Sequence, residues 1–228
     1  MSPLRTDFHS HLLPALDDGV ATTDAALAVI QQLATLGYTR LITTPHIMHD
    51  TYPNTVQTIT RAWENLNKVL VEAGIPVTLE IAAEYYLDEQ VFAMAENGTK
   101  FMTFGDKHFL FETNFYSEPF QLSDFIFKSF VNGYKPILAH PERYGYITLA
   151  KVEEFRHRGV LMQLNLLSLC GYYGKPIQKL AQKMVVQGWV DAVGSDCHNL
   201  EQAHLLTTLP ADKYYQKALA LPLLNYKL

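Results

Sequence analysis

Two histidines separated by one residue stand near the start of the chain, in Asp7-Phe8-His9-Ser10-His11. Residues two apart on a β-strand point to the same face, so a short strand that ends here aims both imidazoles at one point. Neutral imidazole is a common ligand for zinc, manganese and iron, and the nearby Asp17-Asp18 pair adds carboxylate oxygens. A single His-x-His motif is weak evidence, so a metal site requires matching ligands elsewhere in the chain.

Further histidines and carboxylates follow other short apolar runs along the chain. They are His46, Glu84, Glu112, His140, Asp196 and His198. So many imidazoles and carboxylates converge only if cations pair them. A catalytic zinc typically has about three protein ligands, so the set predicts two or three divalent metal ions, with Glu84 able to bridge two of them. Mixed ligands of this kind suit manganese, iron or zinc.

Alternating elements must bring these residues together. Seven apolar runs predict strands, at Leu4–Phe8, Arg40–Thr43, Thr78–Ala82, Phe109–Glu112, Pro136–Ala139, Val160–Leu164 and Val190–Val193. Helical patterns that end at or just before glycine predict helices, at Asp24–Leu36 with Thr23 as N-cap, Asn54–Ala73, Ser123–Asn132, Leu149–Arg158 and Pro176–Gln187, with a weaker segment at Asp88–Gly98. This alternation predicts an α/β fold, a closed or nearly closed parallel barrel, whose functional residues lie at the carboxyl ends of the strands.

Composition restricts the classes of function. The chain has 228 residues, of which 48% are hydrophobic, so residues 1–228 are expected to form a single domain. A formal net charge of −5 without a basic stripe argues against a nucleic-acid partner. Two cysteines do not make a disulfide framework. The N-terminus lacks an apolar signal core and no run of about 18 apolar residues occurs, which predicts a soluble cytoplasmic protein without direct membrane insertion.

Six motifs occur between about residues 4 and 199 in the order of a known family. They are Asp7-Phe8-His9-Ser10-His11-Leu12-Leu13-Pro14, Asp17-Asp18-Gly19, Thr44-Pro45-His46, Ala83-Glu84-Tyr85-Tyr86, His140-Pro141-Glu142-Arg143-Tyr144 and Gly194-Ser195-Asp196-Cys197-His198-Asn199. In these motifs the chain resembles the polymerase-and-histidinol-phosphatase (PHP) family, and it is most similar to the bacterial manganese-dependent tyrosine-protein phosphatases of capsule and exopolysaccharide operons. The resemblance implies a distorted seven-stranded (β/α)7 TIM-like barrel with a three-metal site, and Mn²⁺ as the metal.

The resemblance also implies roles for individual residues. The implied ligands are His9, His11, Glu84 and Asp196 for the first ion, Glu84, Glu112 and His140 for the second, and Asp18, His46 and His198 for the third. Asp17 is expected to orient a histidine or to cap the next turn. Arg143 matches the family's phosphate-binding arginine, and either Asp18 or a metal-held water is expected to protonate the leaving group.

One position departs from the family pattern. Relatives carry a second arginine five residues after the position of His198, where this chain has Ala203. Weaker phosphate binding and compensation by His204 or by a lysine elsewhere both stay open. The departure concerns the substrate rather than the metal ligands.

The predicted chemistry is hydrolysis of a phosphate monoester by a hydroxide that the metals activate. The resemblance implies, as substrate and partner, the phosphotyrosine tail of a bacterial tyrosine kinase that controls capsule or exopolysaccharide synthesis. Two alternatives are a phosphoesterase for a small ester such as histidinol phosphate, and a non-catalytic, metal-bound regulatory protein of polysaccharide export. The oligomeric state stays open.

Aromatic residues are frequent in the predicted strand-to-helix loops. They are Tyr52, Tyr85, Tyr86, Phe115, Tyr116, Tyr144, Tyr146, Tyr172 and Tyr173. Single aromatic residues of this kind usually pack in the core. As a group on the catalytic face, they are expected to clamp an aryl ring or a flexible peptide.

Overall fold

The computed structural model describes residues 4–228 of the chain. The first three residues lie outside the described range, so the expectation about a signal core falls partly on residues that are not described. Its strands are β1 (Thr6–Asp7), β2 (Arg40–Thr43), β3 (His46–Ile47), β4 (Thr78–Ile81), β5 (Glu84–Tyr86), β6 (His108–Glu112), β7 (Lys135–Ala139), β8 (Leu161–Asn165) and β9 (Ala192–Gly194). Its α-helices are α1 (Thr23–Thr35), α2 (Val56–Glu72), α3 (Glu89–Glu96), α4 (Leu122–Val131), α5 (Leu149–His157), α6 (Leu166–Leu169), α7 (Lys175–Gln187), α8 (Leu200–Leu205) and α9 (Lys213–Leu219). No helix among these residues is both long and apolar enough to cross a membrane.

The strands form two parallel sheets, in the orders β1-β2-β4 and β3-β5-β6-β7-β8-β9. Main-chain hydrogen bonds also join the segments that follow β1 and β9, because Asp196 N–H donates to His9 O at 2.8 Å and His11 N–H to Cys197 O at 3.0 Å. The first and last strands are therefore neighbours. The predicted α/β fold with parallel, barrel-like strands is confirmed.

Two of the predicted strands continue past a break into the other sheet. Pro45 separates β2 from β3, and proline has no N–H to donate to a ladder. The pairing survives on both sides of the break, since Ala82 N–H donates to Thr43 O at 3.0 Å and Glu84 N–H to Pro45 O at 3.2 Å. The continuations β3 and β5 begin at His46 and Glu84, so each places a predicted ligand first in its strand.

The helices begin and end within about two residues of their predicted bounds, with one different cap. Thr22, not Thr23, is the N-cap of α1: its backbone is extended (φ −134°, ψ 158°) and its side chain accepts from Ala25 N–H. That geometry defines an N-cap, whereas Thr23 already has helical backbone. The helices α8 and α9, which follow the last strand, were not predicted.

An apolar layer fills the space between the strands next to their polar ends. It contains the buried residues Phe8, Ile42, Ala82, Phe104, Leu110, Ile137, Ala139 and Ala192. Leu110 and Glu112 are two apart on β6 and so share a face. The layer therefore supports the inward-pointing residues at the carboxyl ends of the strands.

Candidate metal centre

The structure brings all of the residues predicted as metal ligands into one cluster at the carboxyl ends of the strands. Four overlapping groups have ligand atoms within 4.8 Å of one another: His9, His11 and Asp196; His9, Glu84 and His140; His46, Glu84 and Glu112; and His11, Asp18, His46 and His198. His9, His11, His46 and Glu84 each belong to two of them, so the groups share ligands as a polynuclear site requires.

Four side chains drawn from these overlapping groups have the spacing of ligands around one ion. His9 Nε2 lies 3.2 Å from both Glu84 Oε2 and Asp196 Oδ1. His11 Nε2 lies 3.4 Å from the same Glu84 oxygen and 3.3 Å from the same Asp196 oxygen. Tetrahedral ligands with bonds of about 2.1 Å are about 3.4 Å apart. These four side chains therefore fit one divalent cation.

Glu84 lies at the centre of the cluster and is fully buried. Its Oε2 atom faces His9, His11 and, at 3.3 Å, His46 Nδ1. Its Oε1 atom lies 3.2 Å from His140 Nε2 and has no hydrogen-bond partner. A buried carboxylate oxygen without a donor is costly unless a cation pairs it. The residues present thus fit a bridging carboxylate between two metal ions.

The group formed by His11, Asp18, His46 and His198 is the most open to solvent. Asp18 Oδ1 lies 3.4 Å from His46 Nε2 and 3.6 Å from His198 Nε2, and the Asp18 side chain is 54% exposed. His46 Nδ1 lies 3.0 Å from Glu112 Oε1. The His46 ring therefore connects the group that contains Asp18 with the group that contains Glu112. His198 Nδ1 donates to Asp196 O at 2.8 Å, which leaves its Nε2 atom free to bind a metal.

Two side chains outside the cluster fix the ring orientation of its first histidines. Asp17 Oδ2 lies 2.8 Å from His11 Nδ1, and Gln163 Oε1 lies 2.8 Å from His9 Nδ1. Each acceptor holds the proton on Nδ1 and so presents Nε2 to the cluster. The expectation that Asp17 orients a histidine is confirmed. Gln163 was missed by the sequence analysis, although it lies near the end of β8 where the barrel pattern places functional residues.

Charge in the cluster is balanced between imidazoles and carboxylates. Burial alone would lower the pKa of His46, but the Glu84 carboxylate raises it, to about 10. Burial likewise opposes the effect of Asp17, which raises the pKa of His11 well above its ordinary value. Burial would raise the pKa of Asp196, and His9 and its neighbours lower it far below the usual range. The carboxylates therefore demand positive charge beside them, as protons or as metal ions.

Two of the predicted ligands have a backbone conformation that residues other than glycine rarely adopt. His140 has φ 33° and Asp196 has φ 49°, both in the left-handed region. Hydrogen bonds hold both residues in place: Asp196 N–H donates to His9 O at 2.8 Å and His140 N–H to Gln163 Oε1 at 3.2 Å. Such strain is stored where the surrounding structure fixes a functional side chain.

Arg143 lies beside the cluster and is held on both faces. Its guanidinium carbon is 5.0 Å from the centre of the Phe115 ring and 4.5 Å from that of Tyr173. Its Nη1 atom donates to Asp196 Oδ2 at 2.8 Å, and Asn165 Nδ2 donates to the same oxygen at 2.7 Å. This pair of donors turns the other Asp196 oxygen towards His9 and His11.

A cavity of about 320 Å³ opens over the cluster. Besides most of the ligands and Arg143, it is lined by Met48, Tyr52, Tyr86, Asn114, Phe115 and Tyr116. The expectation for the aromatic group is therefore wrong in part: Tyr85 and Tyr144 are buried core residues whose hydroxyls accept from Met102 N–H and Thr113 N–H.

The cavity has a single guanidinium or ammonium group among the described residues that line it. Among the described residues that line it, Arg143 is the only lysine or arginine, and His204 is not among them. Ala203 is fully buried on α8, which packs against α1. The position at which the resemblance implies a second arginine is thus part of the helix packing in this chain, and no lysine or other arginine among residues 4–228 lines the cavity in its place.

Comparison with known proteins places this geometry in a family. Residues 5–208 match the family model described as capsular polysaccharide synthesis, CpsB/CapC. The chain is 26% identical over 203 residues to tyrosine-protein phosphatase YwqE of Bacillus subtilis (strain 168), covering 88% of this chain and 80% of that protein. It is 23% identical over 203 residues to tyrosine-protein phosphatase CpsB of Streptococcus pneumoniae, covering 86% of this chain and 83% of that protein.

A solved structure agrees with the sequence comparison. The crystal structures of YwqE from Bacillus subtilis and CpsB from Streptococcus pneumoniae, described as metal-dependent tyrosine phosphatases, include a chain that matches with a TM-score of 0.81 at 26% identity. The match covers 94% of this chain and 85% of that one. With a family model that spans most of its length, the chain belongs to the CpsB/CapC family of capsular polysaccharide synthesis.

Proposed function

We propose that the protein is a metal-dependent phosphatase that hydrolyses phosphotyrosine. The observation that carries the proposal is the cluster of histidines and carboxylates with metal-ligand spacing, which opens into a cavity beside Arg143. The names of the relatives from Bacillus subtilis and Streptococcus pneumoniae support the choice of phosphotyrosine. The proposed substrate is the phosphotyrosine tail of a bacterial tyrosine kinase that controls capsule or exopolysaccharide synthesis.

The proposed metal is manganese. Three ions would be held by the ligand sets that the family resemblance implies, with Glu84 shared between the first set and the second. When bound, divalent cations supply Lewis acidity and lower the pKa of water, which provides a nucleophile at neutral pH. The protein's own part is to hold Glu84 between the groups and to fix the rings of His9 and His11 through Gln163 and Asp17. Ligand positions fixed in advance need no rearrangement during the reaction.

Arg143 is proposed to pair with the phosphate oxygens of the substrate. Its Nη1 atom is committed to Asp196, and its two ring neighbours keep the planar guanidinium at the cavity wall. The remaining N–H groups can then donate to equatorial oxygens, where charge builds up during phosphoryl transfer. A single arginine in this role is consistent with the absence of a cation at Ala203.

Asp18 fits the role of metal ligand better than that of general acid. The imidazoles of His198 and His46, whose Nε2 atoms lie 3.6 and 3.4 Å from Asp18 Oδ1, hold the pKa of its carboxyl far below the usual range. A group with so low a pKa is ionised at neutral pH and has no proton to give. Tyrosinate, with a pKa of about 10, needs less help in leaving than an alkoxide does, which also favours an aryl ester as the substrate.

The test is an assay of the purified protein, stripped with a chelator and reloaded with manganese, zinc or iron. We expect it to hydrolyse a phosphotyrosine peptide faster than histidinol phosphate or an alkyl phosphate. The variants His9→Ala and Glu84→Ala should lose metal loading and activity together, whereas the exposed His157→Ala should keep both. Faster turnover of the small esters would overturn the choice of substrate. Binding of the peptide without cleavage by any metal-loaded form would indicate a regulatory protein instead.

A further inference from the structure

Three aromatic side chains form an exposed rim that starts inside the cavity and leads out of it. This aromatic rim consists of Phe115, Tyr116 and Phe120, on the loop between β6 and α4. Phe115 stacks on His140 and on the Arg143 guanidinium, with a ring-centre distance of 6.1 Å to His140. Tyr116 lines the cavity but is 91% exposed, and Phe120 is fully exposed. The rim therefore connects the candidate reaction centre with open surface.

Hydrogen bonds within the loop hold the rim in its outward position. Asn114 Oδ1 accepts from Tyr116 N–H at 3.0 Å and from Ser117 N–H at 2.8 Å. Gly145 N–H donates to Phe115 O at 2.8 Å, and a Cβ at Gly145 would lie only 3.3 Å from that oxygen. Lys151 Nζ lies 2.8 Å from the Glu118 carboxylate. These contacts hold the backbone of the loop from which the aromatic rings project, which lowers the entropic cost of ordering the loop when a partner binds.

The chemistry of the loop favours one kind of occupant. Large aromatic side chains that stay exposed together mark sites of interaction. Residues 114–121 contain Glu118 and no lysine or arginine, whereas binding to an anionic membrane surface relies on basic residues. Phe115 and Tyr116 line the cavity, so the rim lies at one side of a chain that inserts a phosphorylated side chain there.

We propose that the aromatic rim binds the polypeptide on one side of the phosphotyrosine, through apolar or aromatic residues next to it in sequence. This inference rests on the proposed function and adds to it the surface that recognises the polypeptide next to the phosphotyrosine. The flanking side chains pack on Tyr116 and Phe120, while the phosphorylated ring enters the cavity beside Phe115. The rim contributes to binding of the chain and not to the chemical step.

The test compares two substrates across exposed-residue variants of the metal-loaded protein. The substrates are a phosphotyrosine peptide with aromatic flanking residues and para-nitrophenyl phosphate, which has no flanks. We expect Tyr116→Ser and Phe120→Ser to raise KM for the peptide about fivefold or more, as partial burial of one aromatic ring predicts. Phe120→Ser, whose side chain lies outside the cavity, should change kcat/KM for para-nitrophenyl phosphate less than about twofold. The control is Val71→Ser at the end of α2, which removes an apolar side chain of 70% exposure.

Other outcomes would overturn the inference in distinguishable ways. Equal effects on both substrates, or none on either, would show that the rim does not contact the flanking chain. Loss of sedimentation with phosphatidylglycerol vesicles at unchanged peptide turnover would assign the rim to a membrane, and loss of a dimer in light scattering would assign it to a second copy. If the unmodified protein hydrolysed neither substrate, the proposed function itself would fail, independently of the rim.

Discussion

Replacement of Asp17 by asparagine isolates the contribution of ring orientation to metal binding. Asp17 Oδ2 faces His11 Nδ1 at 2.8 Å and accepts from His46 N–H at 3.0 Å, while its Oδ1 atom accepts from Gly19 N–H at 3.0 Å. Both oxygens are therefore occupied as acceptors. Asparagine has one oxygen, so its amide N–H₂ must face one of these donors and a hydrogen bond is lost whichever way it turns.

The size of the effect follows from two independent considerations. A hydrogen bond to a charged group contributes about 1.5–3 kcal/mol. Loss of a group that orients a metal-ligating histidine weakens metal binding about 10- to 100-fold, which corresponds to about 1.4–2.8 kcal/mol. The two ranges agree, and we expect the Asp17→Asn protein to bind Mn²⁺ 10- to 100-fold more weakly. Activity at saturating metal should stay within about threefold, because all the ligands remain.

The assay is the dependence of phosphatase activity on free Mn²⁺, buffered with a chelator and paired with direct titration calorimetry. Asp24→Asn, at the first turn of α1, is the matched control because it makes the same chemical change away from the cluster. Superimposable metal curves for Asp17→Asn and the unmodified protein would refute the idea that Asp17 acts through His11. A loss of activity that saturating metal does not restore would show a role beyond orientation.

Three further measurements follow from the structure. Burial and the opposing Glu84 carboxylate leave the pKa of His46 at about 10. Mn²⁺ binding at pH 7 should therefore release protons and become stronger as pH rises. Calorimetric heats of binding that do not depend on the buffer would contradict this prediction. Burial raises the pKa of Glu142 from 4.5 to about 7, so the folded state binds the extra proton and stability should fall as pH rises through this window. Glu142→Gln should flatten the dependence of Tm on pH relative to Glu153→Gln, and parallel curves would exclude the assignment. In Gly194→Ala, the new Cβ would lie 2.7 Å from His9 Cβ. The metal content measured by emission spectrometry should therefore drop, while the far-UV circular dichroism spectrum stays unchanged. Full metal content would count against a close approach of Gly194 to His9.

The ligand cluster was predictable because most of its residues lie at, or just past, the carboxyl ends of parallel strands. His9 and His11 are two apart, and Glu112, His140 and Asp196 end or directly follow apolar runs, so a parallel fold brings them to one end of the sheet. The ligand roles assigned to single ions, and the catalytic roles of Arg143 and Asp18, stay predictions. Asp17 has both of the roles expected for it, since it contacts His11 Nδ1 and accepts from Gly19 N–H in the turn that follows.

What was missed depends on contacts that leave no periodic signal. Gln163 and Asn165 act through single hydrogen bonds to His9 and Asp196, and an amide near a strand end looks like any other polar residue. Two predicted strands are each divided into parts that belong to different sheets, β2 with β3 and β4 with β5. This division depends on Pro45 and on pairing with strands that are distant in the sequence. The helices α8 and α9 follow the last strand, where no alternation of strand and helix remains to guide a prediction. The choice between Thr22 and Thr23 depends on backbone angles alone.

The break between the two sheets gives the metal ions a second role. His9 and His11 follow a strand of the smaller sheet, whereas Glu84, Glu112 and His140 belong to or follow strands of the larger one. Ions shared by these side chains would cross-link the sheets at the point where the ladders are interrupted. A ligand present at 100 times its Kd stabilises a fold by about 2.7 kcal/mol. The lifetime of the folded protein in a cell, and not only its activity, would then rise and fall with the supply of metal.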